Sequence, residues 1–201
     1  MTGTTQQKAR RFTIADGMIL IAATAFAMAW TSSAWRQFGS AMPTPSSILT
    51  WTGLQAWVTV ILALAFPCLI FWTFALALLR WKKPRPRWRR AARQPGMTAT
   101  LATSITLMLI LPIIVALVVH QVYQTGLTKE VWSQLPGGLL EVMLMFSPLI
   151  SVAIIVSWIL LALQRQWRCE RSWIDRAGRV LGSTWIVCGL IAAAMFLESY
   201  F

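Results

Sequence analysis

The sequence predicts an all-α integral membrane protein, a bundle of five transmembrane helices with short loops, forming one polytopic domain over 1–201. Three observations predict it. First, the chain is 57% hydrophobic and only 12% charged, with mean hydropathy +0.63, whereas a soluble domain carries about 25% charged residues. Second, five nearly uncharged apolar runs approach or exceed the roughly 20 residues that a helix needs to cross a hydrocarbon core of about 30 Å. Third, the Lys and Arg residues between the runs alternate in density, as cytoplasmic and outer loops do.

The first run, about 14–34, carries one charge, Asp16, near its start. Lys8, Arg10 and Arg11 precede it and Ala-x-Ala patterns lie within it, so a cleaved signal peptide is the alternative. The run is longer than an h-region of about 7–15 residues, which favours a retained helix. Arg10-Arg11 lacks the surroundings of a twin-arginine signal. The second run, 54–79, has no ionisable group except Cys68. The third, 97–124, has His120 near its far end, and the fourth, 139–163, has Glu141 in its first turn. The fifth, 180–197, is the shortest, although Ser172-Trp173-Ile174-Asp175 can start its helix earlier. Each run is too long for a strand and lacks period-2 alternation, so helix follows.

Threading comes from the charges. Lys8, Arg10 and Arg11 stand before the first run, and the second loop, 80–96, holds Arg80, Lys82, Lys83, Arg85, Arg87, Arg89, Arg90 and Arg93. The fourth loop, 164–179, holds Arg165, Arg168, Arg171, Arg176 and Arg179. Only Arg36 and Lys129 remain for the other side. The positive-inside rule therefore expects a multi-pass protein of the cell membrane with its N-terminus in the cytoplasm and its C-terminus outside. Topology accounts for the whole net charge of +12, so no nucleic-acid partner is expected. Tryptophan fits the same threading, because indole favours the headgroup level. Trp30, Trp35, Trp51, Trp57 and Trp132 fall near outer ends, and Trp72, Trp81, Trp88, Trp158, Trp167 and Trp173 near inner ends. Trp185 alone sits toward a helix interior.

Thr13-Ile14-Ala15-Asp16 has the spacing of a capping box, and Ser172-Trp173-Ile174-Asp175 repeats it. An intramembrane acid is by default a candidate for ion traffic, but an acid in the first helical turn is favoured there by the helix dipole. Pro67, Pro112 and Pro148 interrupt three helices and invite kinks. Gly178, Gly182, Gly189 and Ala193 share one side of the fifth helix, a small-residue face for close packing.

The candidate polar residues are His120, Glu141 and Asp16. His120 and Glu141 flank the third loop and could approach across it to bind or relay a proton. A single His excludes a bis-histidine haem, and three Cys without a CxxC motif argue against a disulfide framework. Walker, GxSxG, HExxH and GxGxxG signatures are missing. No catalytic, metal or cofactor site is therefore expected. The basic cluster Arg80 to Arg93 is expected to face the anionic headgroups of the cytoplasmic leaflet, each cation contributing about 1 kcal/mol of attraction.

The sequence thus favours a non-enzymatic scaffold, assembly or accessory subunit acting through helix packing and a basic cytoplasmic face. Its partners would be the bilayer and a membrane-protein partner or further copies of itself. The alternative is a small transporter or channel subunit framed by the proline-kinked helices and lined by His120, Glu141 and Asp16. A membrane-embedded enzyme using His120 and Glu141 is the third class.

Overall fold

A computed structural model describes residues 13–38, 50–81, 94–125, 129–165 and 172–200. All the regular structure among them is helical: α1 (Ile14–Phe38), α2 (Trp51–Trp81), α3 (Pro95–Thr125), α4 (Lys129–Leu163) and α5 (Trp173–Tyr200). Each contains a stretch long and apolar enough to cross a membrane, the longest of them Trp51–Trp81 and the shortest Ile14–Ser33.

Local chemistry sets the helix starts. At α1 the capping box closes both ways: the Asp16 N–H donates to Thr13 Oγ1 at 3.3 Å, and the Thr13 N–H to Asp16 Oδ2 at 3.1 Å. Asp16 is 0% exposed, an acid engaged in terminating a helix. Thr13→Ala removes one half of this exchange and is expected to cost about 1 kcal/mol. Faster amide exchange at Asp16 and Gly17, with α5 unchanged, checks it. Helix α2 starts at Trp51 rather than 54 because Thr50 Oγ1 accepts the Gly53 N–H at 3.2 Å. Helix α4 starts at Lys129, well before the expected 139, and runs through Pro136-Gly137-Gly138. A proline removes one backbone bond and not the whole ladder, and good helix formers flank the tripeptide on both sides. Helix α5 starts at Trp173, so Arg176 and Arg179 belong to a helix and not, as expected, to the loop 164–179.

Helices consecutive in the chain run antiparallel, as cross-links at the two ends show. At one end, the close of α2, the starts of α3 and α5 and the last turns of α4 meet through Arg80, Pro95, Gly96, Trp158 and Ile174. At the other, Gln55 Nε2 of α2 donates to Glu198 Oε2 of α5 at 2.8 Å. Helices α2 to α5 share one core, while α1 lies chiefly along α2 and touches α4 lightly. Trp72 Nε1 donates to Thr24 Oγ1 at 3.2 Å, and Phe26 stacks on Phe71 at 5.9 Å between centroids. Both pairs direct the first turn of α1 toward the end that carries Arg80. Phe66, Leu76, Leu79, Ile150, Ile154 and Trp185 fill the centre of the bundle.

Candidate functional site

The most concentrated polar chemistry lies where α2 ends and α3 and α5 begin. Helix α3 opens with Pro95 at its first helical position, where the missing N–H costs nothing. The Gln94 carbonyl accepts the N–H groups of Met97 and Thr98, both at 3.0 Å. The Gly96 N–H is one of the orphan donors of a helix start. Asp175 Oδ1 accepts it at 3.0 Å, so an acid of α5 caps α3. The start of α5 is capped locally by Ser172, whose Oγ accepts the Asp175 N–H at 3.3 Å.

Arg80, in the last turn of α2, donates from Nη2 to the Ile174 carbonyl at 3.2 Å. Arg179 Nε stands 3.4 Å from Asp175 Oδ2, one turn along α5. Asp175 is 1% exposed and Arg80 9%, and the positive charges of Arg179 and Arg80 both bear on the carboxylate. Charges removed from water persist only when paired and hydrogen-bonded. Three helices are thereby locked at one level by one acid and two guanidinium groups.

Glycine makes this approach possible. A Cβ on Gly96 would overlap the Asp175 carbonyl oxygen. One on Gly178 would lie 2.5 Å from the Gly96 carbonyl oxygen and 2.8 Å from Arg80 Nη2. Farther along, a Cβ on Gly182 would come within 2.8 Å of the Ala99 Cβ, and one on Gly189 would overlap Ser151 Oγ. Ala193 is half-buried. Gly178→Ala therefore forces two backbones apart and is expected to cost about 1–3 kcal/mol. Gly138→Ala, where a Cβ meets nothing within 4 Å, is expected to gain about 0.5–1 kcal/mol from helix propensity. Opposite shifts of the thermal midpoint in one detergent would check the pair.

A second polar knot crosses the middle of the bundle. Trp185 of α5 is 0% exposed; its Nε1 donates to Thr73 Oγ1 of α2 at 3.2 Å, and its ring stacks on Phe66 at 5.8 Å. Thr73 Oγ1 in turn donates to the Leu69 carbonyl at 2.6 Å. Ser151 Oγ of α4 lies 2.8 Å from the Trp185 carbonyl oxygen and 3.0 Å from that of Ser147. Trp158 Nε1 donates to the Pro95 carbonyl at 3.0 Å, tying α4 to the start of α3.

Asp16 and His120 stand toward opposite ends of the bundle, Asp16 in the cap of α1 and His120 exposed in the later turns of α3. The backbone of Glu141 belongs to α4, and its side chain lies outside the described residues. So do Lys82, Lys83, Arg85, Arg87, Arg89, Arg90 and Arg93. Arg80 departs from the expectation that it faces lipid headgroups: it turns inward, because the α5 carbonyl and carboxylate offer a charged donor stronger partners than the surface does. Asp175 was legible as a local cap, and its engagement with Gly96 was not. Among the described residues no group of three His, Cys, Asp or Glu side chains is placed to hold a metal ion. Cys68 and Cys188 are free thiols.

Comparison with family models, curated proteins and solved structures finds no match to this chain.

Proposed function

We propose that the chain is a multi-pass protein of the cell membrane that works as a non-enzymatic scaffold, assembly or accessory subunit, with its N-terminus in the cytoplasm and its C-terminus outside. One observation carries this reading. The buried polar side chains Arg80, Asp175, Thr73, Ser151 and Trp185 are engaged in holding helices to one another. Large aliphatic and aromatic groups fill the centre between them. The chain's chemistry goes into a rigid frame, and what it presents outward is apolar helix surface, notably Ile113, Val115, Leu117 and Val119 along the outer half of α3. The orientation is supported by the sequence positions of the cations: sixteen of the eighteen Lys and Arg precede α1, or lie between or beside the close of α2 and start of α3, or the close of α4 and start of α5.

Gentle extraction from native membranes followed by mass spectrometry tests the reading. A membrane protein recovered in stoichiometric amount is the expected result. A lone particle that moves solute across liposomes would overturn it in favour of a transporter. A reporter fused after Phe201 should be silent in the cytosol, and a cytosolic signal would overturn the orientation.

A further inference from the structure

Six residues of α5 recur every three or four positions along one face: Arg176, Arg179, Val180, Ser183, Thr184 and Val187. Among the described residues they line a shallow, open groove along the outer face of α5. The groove changes character along its length in a fixed order. Its first turns offer two guanidinium groups, Arg176 exposed and Arg179 with its side chain 34% exposed. Past Val180 the next turn offers the hydroxyls of Ser183 and Thr184, and Val187 ends the groove with apolar surface. Thr184 Oγ1 donates to the Val180 carbonyl at 2.9 Å, so of the two exposed hydroxyls Ser183 is the one that offers a donor to an ester oxygen.

That order complements one kind of molecule: an amphiphile with an anionic head, a polar neck and an apolar tail. At a rise of 1.5 Å per residue, Ser183 lies about 6 Å beyond Arg179 and Val187 about 12 Å beyond it. These offsets suit a phosphate, the ester-linked glycerol below it and the start of an acyl chain. We infer that the groove seats one anionic phospholipid of the cytoplasmic leaflet. The phosphate sits between Arg176 and Arg179, the glycerol esters lie beside Ser183 and Thr184, and one chain starts against Val187. The inference rests on the membrane placement and orientation proposed above, and it names a lipid partner for the basic end. A second copy of the chain fits poorly, since a two-fold pair formed through this face sets Arg176 and Arg179 against the same residues of the other copy.

The test uses the full chain purified in a neutral detergent. Native mass spectrometry counts retained lipid after addition of phosphatidylglycerol, phosphatidylcholine or glycerol 3-phosphate. Expected is one phosphatidylglycerol held per chain, with at least tenfold preference over phosphatidylcholine and no retention of glycerol 3-phosphate. Two variants on the exposed face of α5, Arg176→Gln and Thr184→Trp, should each reduce retention at least tenfold while keeping the lipid-free thermal midpoint. Arg179 is left in place because it pairs with Asp175. Equal retention of the two lipids, retention of glycerol 3-phosphate, or retention indifferent to both variants would overturn the inference. So would an acidic protein that the same variants release while lipid stays bound. Should the chain purify alone and move solute across liposomes, the scaffold reading fails, yet lipid retention by the lone particle still decides this proposal.

Discussion

Asp175→Ala is expected to cost about 3–5 kcal/mol, the usual effect of removing one partner from a buried ion pair. The loss has three parts: the Gly96 N–H forfeits its acceptor, Arg179 loses a carboxylate one turn away, and buried Arg80 loses the negative charge of Asp175. Against a total stability of about 5–15 kcal/mol, such a change leaves the basic end of the bundle open. Asp175→Asn keeps an acceptor for Gly96 and should fall between parent and Ala. The combination of Arg80→Met with Asp175→Asn should recover much of the loss, because removing both charges also removes their desolvation penalty. Denaturation midpoints of the four proteins in one detergent decide it. A cost within about 0.5 kcal/mol of parent for Asp175→Ala, the range of ordinary surface substitutions, would show that the junction holds nothing together.

Trp185→Ala should cost a comparable amount, about 3–5 kcal/mol, through the cavity it leaves at the centre of four helices. In the membrane placement proposed above, dispersion contacts dominate here, because helices surrounded by lipid gain little from the hydrophobic effect. Trp185→Phe keeps a ring against Phe66 and removes only the indole N–H. Thr73 Oγ1 then still donates to the Leu69 carbonyl, so the expected loss is about 1 kcal/mol from the missing hydrogen bond, plus a smaller cavity. Near-equal midpoints for the two variants would mean that the hydrogen bond, and not the packing, carries the residue's contribution.

Much of the architecture was legible in the sequence because its determinants are additive and local. Five runs of apolar residues state their own length, and the four residues Thr13 to Asp16 contain a complete cap. The misjudged boundary at α4 has a local cause as well: Pro136-Gly137-Gly138 carries strong turn signals, and the helical preference of both flanks overrides them. The junction was illegible for a different reason. Arg80 and Arg93 look alike to any count of charges, and only the arrival of the Ile174 carbonyl, far along the chain, distinguishes the first. Asp175 at three residues from Ser172 fits a cap, and nothing in that spacing discloses the Gly96 amide. Trp185 stood out as the single tryptophan away from the membrane interfaces, but its partner Thr73 is indistinguishable in sequence from the other hydroxyls that bond back to their own helix.

Arg80 and the carbonyl it reaches are 94 residues apart. At a ribosomal pace of about 5–20 residues per second, the arginine is made roughly 5–19 s before its partner exists. In that interval the ties that α5 makes to Arg80 and to the Gly96 N–H are not yet formed. The junction at the start of α3 is thus completed only when α5 has emerged, and a chain halted before α5 lacks the acid that caps α3.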